Sequence, residues 1–163
     1  GLFLEAGRKV AEDFPDIEWE DRIIDATAMH LVLDPYRFDV LVMENMFGDI
    51  LSDLMAGLVG GLGFAPAGNI GTDTAMFEAV HGSAPDIAGQ NIANPYSMIG
   101  SVAMMLEMSF SLHQESRLVW DAMKSVFEAG YSTADLSKTS DNIQLVSTNE
   151  FGDKVMERLA ELL

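Results

Sequence analysis

The apolar positions of this chain follow two spacings, and together they predict a protein that mixes helices with strands. Short runs of apolar or alternating residues predict strands at residues 17–24, 38–43 and 75–80. Helical spacing predicts helices over residues 2–14, 25–33, 49–58, 96–113 and 115–129, and a last helix that ends at residue 163. Because the two kinds of element mix throughout, the predicted fold class is α/β.

Glycine, proline and capping residues mark where these elements end. Residues 60–68 are rich in glycine and are the best candidate for a hinge or a domain boundary. Residues 81–95 contain two glycines, two prolines and two asparagines and predict a loop. Gly130 stands where a helix commonly stops, and Ser147 with Glu150 predicts a capping box at the start of the last helix.

The charge of the chain limits the partners that it can have. The chain carries 26 acidic and 9 basic residues, a formal net charge of −17. Such a charge repels phosphate backbones and anionic lipid surfaces, so we expect neither nucleic-acid nor membrane binding. An ordinary acidic surface, a high-salt habitat and the binding of divalent cations all fit this composition.

The composition and the apolar stretches of the chain also indicate where in the cell the protein is located. The chain has no cysteine, which excludes disulfides and cysteine-ligated zinc. The apolar stretch at residues 98–112 is too short to span a bilayer, and the first residues resemble the middle of a helix rather than a signal peptide. We therefore expect a cytoplasmic protein, with the present chain a fragment of it.

Two aspartates on one predicted helix are a candidate metal site. Asp49 and Asp53 are four residues apart, so their carboxylates share one helix face and repel each other. A divalent cation such as Mg²⁺ or Mn²⁺ removes that repulsion and prefers oxygen ligands of this kind. Helix starts also favour acids without any metal, and spacing alone favours this plainer interpretation. By similar reasoning, Asp25 alone would be a helix N-cap.

The loop after the strand predicted at residues 75–80 is a candidate nucleotide site. Its glycines and Ser83 let a ligand approach the backbone closely. An aspartate such as Asp86 could accept two hydrogen bonds from a ribose diol and repel a 2′-phosphate, which favours NAD over NADP. An ordinary turn, with His81 satisfied by a backbone group, would have the same sequence. The chain contains neither the Gly-x-Gly-x-x-Gly fingerprint nor the Walker Gly-Lys-Ser/Thr ending.

Three stretches jointly resemble one family, in its order and spacing. They are residues 45–53 (NMFGDILSD), 81–89 (HGSAPDIAG) and 92–95 (IANP). This is the family of β-decarboxylating dehydrogenases that act on isocitrate, homoisocitrate, isopropylmalate and tartrate, and the resemblance covers essentially the whole chain. It implies an isocitrate/isopropylmalate dehydrogenase-like fold, not a Rossmann fold. Residues 1–60 would then belong to the smaller, dimer-forming domain and residues 61–163 to the larger cofactor-binding domain, both incomplete in this chain.

The resemblance also implies roles for individual residues. Asp49 and Asp53 match the acids that ligate Mg²⁺ or Mn²⁺. Asp25 matches a metal-binding and catalytic acid that reaches the neighbouring subunit, so a homodimer would share its active sites. Asp86 matches the ribose-binding acid of NAD-dependent members, where NADP-dependent members often carry Lys-Tyr. The residues implied to bind the cofactor are Glu78, His81, Gly82, Ser83, Ala84, Asp86, Ile87, Asn94 and Asp135.

The implied reaction is an oxidation followed by decarboxylation. A metal chelates the hydroxyl and carboxylate of a 2-hydroxy acid, hydride passes to NAD⁺, and the resulting β-keto acid loses CO₂. The motifs that hold the family's catalytic Lys and Tyr and its substrate-binding arginines would precede Gly1. We therefore expect the isolated chain to be inactive.

The sequence leaves the substrate open. Residues 56–63 and the sequence Glu-Ala-Val-His at 78–81 look more like isocitrate dehydrogenases, because isopropylmalate enzymes more often carry Glu-Pro at 78–79. Isopropylmalate, homoisocitrate and tartrate remain alternatives. A non-catalytic regulatory subunit is a second class of function, although the intact Asp49 and Asp53 argue against it. An inactive fragment with a structural role is a third.

Overall fold

The computed structural model describes residues 1–136 and 143–163 and divides the chain into two compact units. The first unit is Gly1–Leu58 and the second is Val59–Leu163. The assignment of residues 1–60 to a dimer-forming domain and of residues 61–163 to a cofactor-binding domain stays a prediction.

The first unit consists of helices joined by irregular segments. Leu31, Leu51 and Ala56 form its buried apolar positions. Its helices are α1 (Leu2–Ala11), α2 (Ile24–Leu33) and α3 (Asn45–Val59), with a 3₁₀ turn at Pro35–Arg37. The helices predicted near residues 2–14, 25–33 and 49–58 are thereby confirmed, with different ends.

Helix α1 ends three residues before the predicted limit at Phe14. The backbone N–H of Asp13 bonds to the Val10 carbonyl, and that of Phe14 bonds to the Ala11 carbonyl. These bonds span three residues instead of four, so the chain tightens into turns before Pro15. Proline disfavours the helical conformation of the residue before it, which accounts for the early end.

Two strands predicted in the first unit are wrong. Residues 17–24 and 38–43 are irregular apart from Ile24, which begins α2. A strand requires a neighbouring strand to satisfy its backbone groups, and the described residues of this unit contain none. The side chains of Val40 and Val42 are 77% and 79% exposed, whereas Leu41 and Met43 are half-buried. The compact apolar run at residues 38–43, which predicted a buried strand, is therefore half exposed and forms no ladder.

An antiparallel hairpin begins the second unit. Strand β1 (Pro66–Ile70) pairs with β2 (Ala75–Ala79), and Pro66 lies opposite Ala79. The predicted strand at residues 75–80 is confirmed, but β1 and a 3₁₀ turn at Leu62–Phe64 overlap the segment predicted as a loop. Proline and glycine are poor strand formers. Pairing with β2 outweighs that local preference.

The described part of the second unit also contains the helices α4 (Tyr96–Phe110), α5 (His113–Glu128) and α6 (Thr148–Leu162). Helix α4 ends before the predicted His113 because Ser111 adopts a left-handed conformation, with a φ of 54°. Gly130, with a φ of 87°, follows the end of α5 as predicted. The remaining strands, β3 (Tyr131–Ser132) and β4 (Gln144–Leu145), form a short parallel pair that the sequence did not predict.

The core of the second unit lies between α5 and α6. Its fully or nearly fully buried residues are Ala122, Met123, Val126, Phe151 and Val155. Aromatic rings extend this core toward α4: the Phe127 ring lies 5.2 Å from Phe151 and 5.6 Å from Tyr96, between centroids. Burial raises the pKa of the Tyr96 hydroxyl.

No helix in the described parts of the chain is long and apolar enough to cross a membrane.

Candidate functional site

The two aspartates of the predicted metal site lie in the middle part of α3. Both side chains are exposed, and the Asn45 amide donates a hydrogen bond of 3.2 Å to Asp49 Oδ2. Helix α3 begins at Asn45, four residues earlier than the sequence predicted, and its first turn contains no acid. The helix dipole acts mainly on the first turn. The plainer interpretation, that a helix start attracts these acids, therefore loses its basis.

Asp25 lies in the first turn of α2 and is not its N-cap. The cap position is held by Ile23 in an extended conformation, so the N-cap interpretation is wrong. The exposed Asp25 carboxylate accepts a hydrogen bond of 2.6 Å from the Ala26 backbone N–H. Within the described residues, no three acidic, histidine or cysteine side chains lie close enough to hold one metal ion. Asp25 thus does not join Asp49 and Asp53 within one chain.

The loop predicted to wrap a nucleotide is exposed along most of its length. His81 Nδ1 lies 2.9 Å from the Gly82 carbonyl oxygen, and because a carbonyl can only accept, a hydrogen bond here requires a hydrogen on Nδ1. A Cβ atom added at Gly82 or Gly89 would meet no atom within 4 Å. The space beside these glycines is therefore open to a ligand, as the sequence analysis expected.

The middle of this loop is shaped by local hydrogen bonds. Ala84 has a φ of 42° and accepts a hydrogen bond of 3.1 Å from the Ile87 N–H. The Gln90 side chain donates to the Asp86 backbone carbonyl at 2.8 Å. The exposed Asp86 carboxylate takes no part in that bond. Nearby Ser83 is also exposed.

Glu78 lies within strand β2, before the loop. Its carboxylate is exposed and accepts a hydrogen bond of 2.9 Å from the Asn69 amide across the hairpin. This contact joins the two strands of the hairpin through the side chain of Glu78.

Asn94 and Asp135 are brought together by the fold although they are 41 positions apart. The Asn94 amide donates to Asp135 Oδ2 at 3.0 Å, and its oxygen accepts from the Tyr96 backbone N–H at 3.0 Å. Thr133, which is fully buried, donates its hydroxyl hydrogen to Asp135 Oδ1 at 2.5 Å. Both residues predicted to contact the cofactor are therefore already engaged within the protein. Thr133 was not predicted from the sequence, where its position two residues before Asp135 was the available signal.

Two buried serines, also missed from the sequence, attach α4 to the hairpin. Ser101 donates its hydroxyl to the Glu78 carbonyl at 2.6 Å, and Ser97 donates to the Ala65 carbonyl at 2.5 Å. The Ala65 carbonyl also accepts from the Val80 N–H, directly before His81. The start of the loop is thus fixed from α4. The four-residue spacing of these serines on a mostly apolar helix was the available signal.

A family model described as isocitrate/isopropylmalate dehydrogenase matches residues 2–155. The chain belongs to this family. The α/β fold of the family, incomplete in this chain, is confirmed together with the resemblance, since the match covers almost every described element. What each residue at the site does remains a prediction.

Relatives with several named substrates resemble this chain to a similar degree. A 3-isopropylmalate dehydrogenase from Archaeoglobus fulgidus is 49% identical over 98% of this chain and 47% of its own length. An isocitrate/homoisocitrate dehydrogenase from Thermus thermophilus is 51% identical over 99% of this chain and 46% of its own length. The chain thus spans about half the length of these curated relatives.

A solved structure and a further relative extend the comparison. The crystal structure of isocitrate dehydrogenase from Methylococcus capsulatus superposes with a TM-score of 0.90 at 52% identity, over 98% of this chain and 46% of that one. A protein from Dictyostelium discoideum, 44% identical over 100% of this chain and 45% of its own length, is named an NAD isocitrate dehydrogenase regulatory subunit. Family membership therefore does not by itself specify substrate or catalytic competence.

Proposed function

We propose that the protein to which this chain belongs oxidises and decarboxylates isocitrate, with NAD⁺ as the hydride acceptor and Mg²⁺ or Mn²⁺ as the metal. The observation that carries the proposal is the exposed Asp49 and Asp53 pair, one turn apart on α3 and beyond its first turn. Two like charges on one helix face destabilise the helix unless a cation is present. In a member of this family, a divalent cation is the simplest reason for keeping both acids.

Asp49 and Asp53 would hold this cation, and their exposed carboxylates fit the oxygen ligands that Mg²⁺ and Mn²⁺ prefer. Since Asp25 does not lie with them in one chain, it would serve the site of a second copy, which makes the proposed active unit a homodimer. When bound, the metal supplies positive charge that stabilises the negative charge developing on the substrate oxygen.

The choice of NAD⁺ rests on Asp86. An exposed carboxylate in an open loop can accept hydrogen bonds from both hydroxyls of a ribose and repels a 2′-phosphate. His81, Gly82, Ser83, Ala84 and Ile87 would surround the adenosine. Asn94 and Asp135 would border the adenine, with Asn94 offering the second hydrogen of the amide group that donates to Asp135.

Isocitrate is preferred over isopropylmalate because of the sequence Glu-Ala at 78–79, where isopropylmalate enzymes more often carry Glu-Pro. Homoisocitrate and tartrate are further candidates. A cytoplasmic location is proposed with the function.

A regulatory subunit that binds nucleotide without turnover is the second candidate. It is favoured by the similarity to the Dictyostelium regulatory subunit. The presence of both Asp49 and Asp53 favours catalysis, because a subunit without turnover has no need of acids that bind a catalytic metal. Turnover measurements separate the two functions directly.

The test is an assay of nicotinamide reduction with the longest form of the protein that its gene encodes. Isocitrate, homoisocitrate, isopropylmalate and tartrate are each supplied with NAD⁺ or NADP⁺, with Mg²⁺ or with a chelator. The proposal predicts turnover with isocitrate, NAD⁺ and metal together. Asp53→Asn should lower kcat/KM by more than about 100-fold, because even the outer partners of metal ligands contribute about 10–100-fold.

Asp73→Asn is the matched control, since Asp73 is an exposed aspartate in the hairpin turn. It should retain the activity of the wild type. Turnover that neither the chelator nor Asp53→Asn lowers would overturn the metal assignment. Dinucleotide binding without turnover on any of the four acids would favour the regulatory subunit.

A further inference from the structure

The loop of residues 81–95 is attached at its far end to the first turn of α6. The Thr148 hydroxyl donates to the Ala93 carbonyl at 2.6 Å, and the Thr148 backbone N–H donates to the Asn91 carbonyl at 3.0 Å. The Asn149 N–H donates to the Asn91 side-chain oxygen at 3.1 Å. These contacts join segments that are 55 to 58 positions apart in the sequence.

Within residues 81–90, by contrast, the hydrogen bonds described above join positions at most four apart. Such bonds shape the loop but do not fix it to the body of the unit. The start of the loop is fixed through Val80 and the Ala65 carbonyl. The contacts with α6 provide the corresponding attachment at the other end.

Asn91 is well suited to this attachment. Its φ of 58° is left-handed, a conformation that asparagine tolerates better than most residues. This conformation allows its carbonyl and its side-chain oxygen to accept hydrogen bonds from consecutive N–H groups of α6. Both N–H groups belong to the first helical turn, where they have no partner inside the helix.

Helix α6 is a firm support for the loop. Its capping box is complete, with the Ser147 hydroxyl and the Glu150 carboxylate bonded reciprocally to backbone N–H groups. Phe151 is fully buried and Val155 is nearly so, both in the core shared with α5. The first turn of α6 is therefore held by the same residues that form the core.

We propose that Thr148, together with Asn91, is a positioning residue for the dinucleotide. Thr148 touches no reacting atom; it holds the loop of residues 81–95 in the shape that receives the adenosine half. A loop ordered before binding loses less conformational entropy when the ligand arrives, so affinity rises without a new contact. This proposal rests on the dinucleotide site assigned to the loop under the proposed function.

The test compares Thr148→Val, which keeps the shape of the side chain but lacks the hydroxyl, with Thr148→Ser, which restores a hydroxyl. Ser125→Ala is the matched control, because Ser125 donates a hydrogen bond of 2.8 Å to a carbonyl within α5, away from the loop. Hydrogen exchange of residues 82–93 is measured without ligand in the longest form of the protein. The dissociation constant and KM for NAD⁺, and kcat, are measured in parallel.

Thr148→Val should speed exchange across residues 82–93 and raise the dissociation constant and KM for NAD⁺ roughly 2- to 10-fold, the range expected for one hydrogen bond. The kcat at saturating NAD⁺ should stay within about twofold. Thr148→Ser should restore most of the slow exchange and of the NAD⁺ affinity of the wild type, and Ser125→Ala should change neither. If Thr148→Val does not fold, Asn91→Gly takes its place, since glycine keeps the left-handed conformation and removes the side-chain acceptor.

Unchanged exchange in Thr148→Val would overturn the attachment itself. Faster exchange with an unchanged NAD⁺ dissociation constant would overturn the positioning role. If the wild type binds neither NAD⁺ nor NADP⁺, the proposed function fails, and the positioning role fails with it. The exchange data would then still report separately whether Thr148 holds the loop.

Discussion

Asn94 connects three segments of the second unit through one side chain. It receives the Tyr96 N–H at the start of α4 and donates to Asp135, whose other oxygen accepts from Thr133. Asn94 itself is only 7% exposed. A buried polar group that loses its partner costs about 1–3 kcal/mol, so this small network matters to stability.

Asn94→Ala should therefore lower the free energy of unfolding by about 1–3 kcal/mol, because it removes two part-buried hydrogen bonds, with the Tyr96 N–H and with Asp135 Oδ2, that contribute about 0.5–1.5 kcal/mol each. Asn69→Ala is the matched control: Asn69 also donates to a carboxylate, that of Glu78, but is exposed. Asn69→Ala should lower the free energy of unfolding by less than about 0.5 kcal/mol. Urea unfolding of both variants measures these losses. Equal losses of unfolding free energy would show that the hydrogen bonds of Asn94 contribute no more than that of an exposed asparagine.

Residue-level contacts were predictable from the sequence only where they are local. Ser147 and Glu150 form the predicted capping box because both partners lie within one turn of helix. The pairing of Asn94 with Asp135 spans 41 positions, and the fold alone brings it about. The hydrogen bond between Thr148 and Ala93 likewise joins positions 55 apart, which only the fold brings together. Chemistry that depends on such long-range pairs could be reached from the sequence only through the resemblance to a family.

At the scale of elements, the close packing of α4 on α5 depends on Gly100. A Cβ atom at this position would lie 2.8 Å from Cη2 of Trp120, closer than carbon atoms can approach. The Trp120 ring also lies 6.0 Å from the Tyr96 ring, between centroids. The ring therefore cannot move away from Gly100 without disturbing its neighbour.

Gly100→Ala should destabilise the protein by about 1–3 kcal/mol through overpacking. Gly152→Ala, in α6 of the same unit, provides the control, because a Cβ atom there would meet nothing within 4 Å. That variant should be neutral or gain up to about 1 kcal/mol, since alanine favours helix over glycine. If Gly100→Ala proved as stable as Gly152→Ala, the described contact between α4 and α5 would be wrong.

The capping box of α6 makes the stability of this element depend on pH. Hydrogen bonds from the Ser147 backbone N–H and then from its hydroxyl lower the pKa of Glu150 below its ordinary value of 4.5. Because the pKa is lower in the folded state, the charged carboxylate stabilises the fold above pH 4.5. That stabilisation is lost as the pH falls through the folded-state pKa.

Glu150→Gln removes the charge but keeps an oxygen that can accept the Ser147 N–H. The wild type should unfold at a higher temperature than Glu150→Gln at neutral pH, and the difference should shrink below pH 4.5. Thermal midpoints of both proteins across a pH series test this. A difference that is the same at every pH would mean that the charge of Glu150 does not contribute.

Elements with strong helical spacing were predicted well, whereas only one of the three predicted strands, that at residues 75–80, was confirmed. The helices near residues 25–33 and 115–129 follow from local patterns and caps. Strands at residues 17–24 and 38–43 were wrong because a strand needs a partner, which the pattern of one segment cannot supply. Strand β1 was missed for the opposite reason: β2 supplies a partner to the weak strand formers of Pro66–Ile70.

At the scale of the whole molecule, 9 basic residues balance only part of the charge of 26 acidic residues, which leaves a net charge of −17. Like charges spread over a folded chain repel one another and oppose its compact state. Raising monovalent salt from about 0.01 M to 1 M shortens the screening length from roughly 30 Å to 3 Å. The charge therefore predicts a protein that salt stabilises.

The thermal midpoint should accordingly rise with NaCl over this range. Chloride is preferable to sulfate, because sulfate stabilises proteins in general by exclusion from their surface. A midpoint that falls or stays constant with NaCl would show that repulsion among the acids is not an important term in stability.

The proposed function requires this chain to contribute a site for NAD⁺ whose choice of cofactor depends on Asp86. The most direct test is thermal unfolding in Mg²⁺ with NAD⁺ or NADP⁺, for the wild type and for Asp86→Lys, since a ligand that binds only the folded state raises the midpoint. We expect NAD⁺ alone to raise the midpoint of the wild type, and Asp86→Lys to lose most of that rise. A rise with NADP⁺ alone, or the same rise with NAD⁺ in both proteins, would contradict the claim.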